Sequence, residues 1–509
     1  MELIKEPINM CNIPAKGTAQ AMADGDVIVP DTKPDILKLL QVDSEASVTD
    51  KYIENGRLVL CGRVDYKVLY VPDSENEKIK SIFTSMEFRQ VVDARNADGN
   101  VQILAKPIVE KVEFNTVNSR KLRLRAIVHI DYEICSMYLT EIACDVDNEK
   151  AEKLMDVISY ENTVNISEHE FTIKEKLEIP SGEVSIKEIL KSDIKICDTE
   201  YKAVTGKVIV KGMVGICVLY VNESDEIRFT EIEVPFTEVL DADGVTEDSV
   251  CDIEYCVIGT MCNTEPDIDG DMRDIIIDID ICASLKATET AQTEILKDCF
   301  IPYKKTECLK DTLPLQMTVE RPSLQNTLRD IIEIPQNAPG VKGIYNIMTN
   351  AMITKSEHQR NKIVCEGKVE AYILYLTDVP ENPIYSIKKE IPFSYMIECK
   401  NEAHGSKCEM KCQVKHASYN LNSSGEIEIR CLISVECMLI KEVLVENIVD
   451  INSDNCEQRK GIVIYFANAG EMVWDIAKRY GVPCKTLTEY NEICEDRLED
   501  ERKIFIPMS

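Results

Sequence analysis

"LVLCGRVDYKVLYV" (residues 58–71) returns as "VIVKGMVGICVLYV" (208–221) and again as "IVCEGKVEAYILYL" (363–376). All three fit one pattern: apolar residues at alternate positions, a glycine followed two residues later by a small apolar residue, and a closing Val/Ile-Leu-Tyr. The glycines are Gly62, Gly212 and Gly367, 150 and 155 residues apart. Each lies 32 residues after the proline of an apolar-Pro pair: Val29-Pro30, Ile179-Pro180 and Ile334-Pro335. Each copy then reaches a phenylalanine, Phe88, Phe236 or Phe393, which follows the Leu of its Leu-Tyr pair by 19, 17 and 19 residues. Landmarks in register over three copies mark a triplicated module.

The module reads as β. In the first copy Leu58, Leu60, Val64, Tyr66, Val68 and Tyr70 share one face at period two, and Arg63, Asp65 and Lys67 take the other. In the third copy Lys362, Glu366, Lys368 and Glu370 point outward. Such alternation predicts a half-buried strand, and a glycine in its middle predicts a bulge or a close backbone approach. "YNLNSSGEIEIRCLISV" (419–435) predicts a hairpin turning at "NSSG". Short helices are expected at "DILKLL" (35–40) and "VSIKEIL" (184–190), and a helical connector at "DNEKAEKLMDVI" (147–158).

Composition narrows the function classes. The chain of 509 residues has room for roughly three to four domains. Its net charge of −32 repels phosphate backbones and anionic lipid, so nucleic acid is not an expected partner. No apolar run approaches the roughly 18 residues of a membrane helix, so no membrane insertion is expected. "MELIKEPINMC" (1–11) has neither the basic nor the apolar region of a secretory signal. The 21 cysteines are odd in number and scattered without a CxxC, which fits free thiols in a reducing compartment. The one basic run, "SRKLRLR" (119–125), reads as a solvated strand face.

Candidate chemical motifs fall away one by one. "EPDIDGDMRD" (265–274) spaces Asp267, Asp269 and Asp271 like a calcium loop, but Gly270 stands fourth in that series rather than sixth. Cys251, Cys256 and Cys262 match no zinc spacing and have no histidine nearby. The five histidines are dispersed, and no phosphate-binding loop or nucleophile elbow occurs. The expectation is no catalytic residue, no metal, no cofactor and no enzyme.

The segment "IVIYFANAGEMVWDIAKRYGVPCKTLTEYNEICEDRLEDERKIFIPMS" (462–509) reads strand, helix, helix, strand. Val473, Ile476, Ala477 and Tyr480 form one helix face, and Gly481 stops that helix. The second helix carries Leu487 and Tyr490, and "KIFIP" (503–507) closes the unit. This segment resembles a LysM domain, matching the family pattern at Tyr465, Gly470, Trp474, Ile476, Ala477, Tyr480, Gly481, Val482, Leu487, Asn491, Ile506 and Pro507. LysM domains usually bind N-acetylglucosamine chains between the strand–helix and helix–strand loops. The usual Asp-Thr of the first loop is Glu471-Met472 here, and the second loop is the acidic "EDRLEDER" (495–502), without Gly or Pro. The departures favour a protein partner over glycan. The resemblance places the binding surface at Ile462, Phe466, Gly470, Glu471, Met472, Val473, Trp474, Asn491 and Ile493. Trp474 lies to one side of the core stripe. It is either a partly exposed anchor at the groove or a cap on a very small core.

With a "VPDTKPDI" opening (29–36) and main strands ending in "VLYV", the modules resemble the SPOCS domains of clostridial spore-coat morphogenetic proteins. The expected fold is mainly β: three tandem SPOCS modules, then a small α+β (βααβ) LysM domain. The expected boundaries are an N-terminal segment 1–26, a module 27–140, a connector 141–174, a module 175–290, a connector 291–329, a module 330–445, a linker 446–460 and the LysM domain 461–509. The resemblance implies a scaffold in the mother-cell cytoplasm, at the forespore surface, whose LysM domain docks a coat-basement morphogenetic ATPase beside other spore-coat proteins. The alternative is a LysM domain that reads peptidoglycan glycan of the cortex or cell wall. A hydrolase targeted by its LysM domain is a third reading, and it lacks a catalytic constellation.

Overall fold

A computed structural model describes residues 2–74, 77–95, 101–180, 182–400, 405–422, 426–455 and 461–508. The first module has six strands: β1 (Leu3–Ile28), β2 (Ile36–Glu54), β3 (Arg57–Pro72), β4 (Lys80–Asp93), β5 (Val101–Asn118) and β6 (Lys121–Val146). They form two antiparallel sheets, β1-β6-β5 and β2-β3-β4. The sheets close on one core in which Leu60, Val64, Tyr66 and Val68 of β3 meet Leu122, Leu124 and Val128 of β6.

The second module repeats this with β7 (Glu152–Glu178), β8 (Ile186–Val204), β9 (Lys207–Asn222), β10 (Ile227–Asp241), β11 (Val250–Pro266) and β12 (Met272–Phe300). Its sheets are β11-β12-β7 and β10-β9-β8. In the third module the first strand is split into β13 (Lys304–Glu320) and β14 (Ser323–Ile332), with Pro322 between them. β15 (Gly343–Gln359), β16 (Lys362–Leu376), β17 (Ile384–Glu398), β18 (Lys407–Leu421) and β19 (Ile427–Asn455) follow. β18 and β19 pair as the expected hairpin; residues 423–425 of its "NSSG" turn lie outside the described residues.

The sequence landmarks fall on equivalent places. Gly62, Gly212 and Gly367 each sit in the central strand of a three-stranded sheet, directly opposite Phe88, Phe236 and Phe393. The ring lies over the glycine so closely that an added Cβ would come within 2.3 Å of Phe88, 2.6 Å of Phe236 and 2.4 Å of Phe393. The glycine and the phenylalanine are one packing device, which is why they recur together. The prolines recur as one turn: the N–H of Lys33, Glu183 and Ala338 donates to the carbonyl of Pro30, Pro180 and Pro335.

Three expected helices are strands. Residues 35–40 and 184–190 fall at the starts of β2 and β8, each with two register shifts, at Ile36/Lys38 and Leu39/Gln41 and at Ile186/Glu188 and Ile189/Lys191. Two bulges within six residues break the period-two alternation and imitate helical spacing. Residues 147–158 turn at 149–150 and enter β7, which pairs with β12 from Glu152 onward.

The stretches expected as a terminal segment (1–26) and connectors (141–174, 291–329) are largely the arms of long strands. Pairs β1/β6, β7/β12 and β13/β19 run beyond their sandwiches as two-stranded ribbons. A lone ribbon is marginally stable in water. Here three share a core: Ile8, Met10 and Ile142 from the first, Tyr160 and Ile295 from the second, Leu315 and Val445 from the third.

The Leu-Tyr ending of the repeated strand explains a second joint. Tyr70, Tyr220 and Tyr375 turn into their own sandwiches, while Leu69, Leu219 and Leu374 turn the opposite way into one cluster shared by all three modules. Each buried leucine contributes on the order of 1.5–3 kcal/mol. Beside this cluster Lys191 is 1% exposed and pairs with Asp193 at 2.9 Å and with Asp43 of the first module. Asn346 of the third module donates to Asp193 at 3.2 Å. Burying an ammonium is tolerated only with such partners. A second ionic joint links Lys16 and Glu133 of the first module with Lys286 of the second and Glu409 of the third.

Candidate functional site: the LysM domain and its seat

The last unit is β20 (Gly461–Ala467), α1 (Val473–Tyr480), α2 (Cys484–Asn491) and β21 (Arg502–Met508), with β20 and β21 antiparallel. Gly481 ends α1 at φ 66°, the left-handed cap that glycine adopts without strain. Asn491 stands in for a strand partner at the end of α2. Its amide donates to the Phe505 carbonyl at 2.7 Å and its oxygen accepts the Phe505 N–H at 2.6 Å.

Alternation divides β20 into two faces. Val463, Tyr465 and Ala467 pack on the helices. Ile462, Ile464 and Phe466 point away and are 56%, 49% and 74% exposed. Phe505 of β21, opposite Ile464, is also exposed. The outcome is an apolar sheet face left uncovered among the described residues, with Lys503 over the Phe505 ring at 4.7 Å.

The two loops that would wall a glycan groove are zipped together. Gly470 N–H donates to the Leu498 carbonyl at 2.7 Å, Leu498 N–H to the Glu471 carbonyl at 3.0 Å, and Val473 N–H to the Asp496 carbonyl at 2.9 Å. Met472 and Arg497 form an antiparallel bridge. These backbone groups are thus occupied within the chain. The Glu471 carboxylate is likewise committed, accepting from Tyr465 Oη at 2.8 Å and from the Asn468 N–H at 3.2 Å.

Trp474 is 8% exposed. Its Nε1 donates to Asp298 Oδ2 of β12 at 2.9 Å, and its ring meets Phe300 edge to face with centroids 5.1 Å apart. Lys478, one turn along α1, also binds Asp298. Burial alone would raise the Asp298 carboxyl, but the donors Lys478 and Trp474 hold it below the ordinary carboxylate value. Tyr303 N–H, in the turn after β12, donates to the Gly481 carbonyl at 2.7 Å. Phe300 and Leu154 complete the LysM core. The domain is therefore seated on the ribbon of the second module.

The nine residues expected at the binding surface do not gather on one surface. Ile462 and Phe466 lie on the open sheet face, and Gly470, with φ 86°, lies in the exposed loop. Glu471, Met472 and Asn491 are half-buried, while Val473, Trp474 and Ile493 are buried. Ile464, between Ile462 and Phe466 at period two, shares their exposed face. Asp298 and Phe300 carry no local signal, being 176 and 174 residues from Trp474.

Elsewhere, Asp267 caps its own turn by accepting the N–H groups of Asp269 and Asp271 at 2.9 and 3.0 Å. Cys251 and Cys262 pack with the core of the second module. Among the described residues every cysteine is a free thiol, and no helix is long and apolar enough to cross a membrane.

The family model described as "SipL, SPOCS domain" matches residues 35–117, 185–265 and 340–422, and the LysM domain model matches 468–507. Each SPOCS match covers the second to fifth strands of a sandwich and leaves out the long strands that complete it. No curated protein and no solved structure matches. SPOCS and LysM are non-catalytic domain families, and their combination points to a sporulation-related scaffold or a peptidoglycan-binding role. The chain is a SPOCS-repeat protein, with three SPOCS domains followed by a LysM domain.

Proposed function

We propose that this protein is a non-enzymatic scaffold of spore-coat assembly in the mother-cell cytoplasm, and that its LysM domain docks a coat-basement morphogenetic ATPase at the forespore surface. The observation that carries the reading is the uncovered face of Ile462, Ile464, Phe466 and Phe505 on a domain whose glycan-type loops are paired with each other. Exposed apolar patches rimmed by polar residues are the usual mark of a protein interface. With Trp474 seated within the chain, the reading rests on Ile462 and Phe466, the sheet residues of the expected surface, rather than on Trp474 of α1. The three fused sandwiches supply a stiff body to hold it, and the charge of −32 keeps that body off anionic surfaces.

The test uses the full-length chain, because the LysM core includes Phe300. Ile464→Ala/Phe466→Ala should lose tenfold or more of affinity for the ATPase, about 1.4 kcal/mol or above, with unchanged circular dichroism. Wild-type affinity in that variant would overturn the docking surface. Pelleting of the wild-type chain with insoluble peptidoglycan, and no capture of the ATPase, would favour the glycan alternative that the LysM match keeps in view.

A further inference from the structure

The turn that seats the LysM domain, residues 301–303, is flanked by two thiols. Cys299 is the last residue but one of β12 and is fully buried; Cys308 lies on β13 and is partly exposed. Their sulfurs are 3.7 Å apart, and the Cys308 sulfur is also 3.3 Å from the Cys299 carbonyl oxygen. Next in sequence to Cys299 is Asp298, which holds Lys478 and Trp474. Free cysteines inside strands usually act as small hydrophobes, and Cys299 does pack with Leu296, Ile448 and Ile451. Two thiols in mutual contact next to the Asp298–Lys478 ion pair are a different arrangement, because reactivity follows thiolate character and access.

We propose that Cys299 and Cys308 form a dithiol site that a hydroperoxide converts to an intramolecular disulfide, and that the seated LysM domain sets its reactivity through Lys478. The roles follow from the surroundings. The hydrogen bond from Cys299 brings Cys308 down to about 7 against the effect of burial, and the Lys478 charge offsets the neighbouring Asp298 carboxylate, which acts the other way. Cys299 is raised by the same hydrogen bond and by burial. Cys308 is therefore the attacking thiolate and Cys299 the resolving thiol. The Cys308 sulfur attacks one peroxide oxygen and the O–O bond breaks. This gives a sulfenic acid on Cys308, and the departing oxygen leaves as water once protonated. The Cys299 sulfur then attacks the Cys308 sulfur, the S–O bond breaks, and the hydroxyl leaves as a second water carrying the Cys299 proton. With hydrogen peroxide the sum is two thiols plus one peroxide to one disulfide plus two waters. The new bond ties the end of β12 to β13 across the turn that supports Gly481, so oxidation fixes the LysM seat.

The experiment treats the full-length chain with hydrogen peroxide at neutral pH, alkylates the remaining thiols and maps peptides by mass spectrometry. The expected product is a Cys299–Cys308 linked peptide pair lighter by two hydrogens, absent from Cys308→Ser. Lys478→Gln should form it roughly threefold or more slowly, and Lys478→Arg, which keeps the cation, should approach the wild-type rate. Recovery of both thiols alkylated after peroxide, or of Cys308 as a sulfinic acid with Cys299 alkylated, overturns the disulfide. Equal rates in the Gln and Arg variants overturn the part given to the LysM domain.

Discussion

Phe300→Ala removes a side chain that belongs to β12 by sequence and to the LysM core by packing. Phe300 is 1% exposed, and its ring meets Trp474 at 5.1 Å and 68°. Truncating a buried phenylalanine costs about 3–5 kcal/mol. Roughly 0.5–1.5 kcal/mol of that comes from the aromatic pair itself. A unit as small as β20–β21 draws no more than about 3–5 kcal/mol from its own core. The loss is as large as the local stability, so the seat should open without denaturant. Trp474 is the only tryptophan in the chain, so its fluorescence reports this site and nothing else. Wild-type emission should be that of a buried indole, with a cooperative shift to longer wavelength in urea. Phe300→Ala should show the shifted emission in buffer, or a midpoint lower by about 3 M for a slope near 1 kcal/mol/M. Asp298→Asn keeps an acceptor for the indole N–H and loses the charge facing Lys478, and should cost only about 1 kcal/mol. Phe300→Ala with wild-type emission and midpoint would refute the reasoning, since the LysM core would then close without β12.

Two further predictions concern acid and the repeated glycine. Asp298 lies below its ordinary value, and Glu133 is brought to about 2 because Lys286 and Lys16 outweigh its burial. Both groups are depressed in the folded state, so their stabilisation is present above the unfolded values, about 3.9 for Asp and 4.3 for Glu. It is lost as pH falls through the folded values. Trp474 emission should report release of the LysM seat, and small-angle scattering should report loosening of the modules, in the window below about pH 4; invariance of both down to pH 2 would contradict the assignment. At the glycines, the nearest atoms to an added Cβ at Gly212 are side-chain atoms, Phe236 at 2.6 Å and Thr199 at 3.2 Å, whereas at Gly367 they include the Met352 carbonyl oxygen at 2.4 Å. Gly212→Ala should cost about 1–3 kcal/mol and be partly recovered by Phe236→Leu, while Phe393→Leu should not recover Gly367→Ala. Equal recovery in calorimetric melts of the two double variants would show that the backbone oxygen is not the obstacle.

The sequence by itself determined the triplication, the faces of the repeated strands and the make-up of the LysM unit. Period-two alternation and fixed landmark spacing report local geometry directly. Alternation tells which face of a strand is covered, but not what covers it. Leu69, Leu219 and Leu374 fall by alternation on the face away from their own sandwiches, and only the meeting of three modules buries them. The bulges at Ile36/Lys38 and Ile186/Glu188 hid two strand starts behind a helical rhythm. The ribbons looked like connectors because their apolar residues are buried against one another and, in the second module, against the LysM domain. Trp474 stood between core and interface because its partners, Asp298 and Phe300, come from another domain. Contacts of that kind depend on how finished sheets pack, and a strand's own residues record only that something packs there.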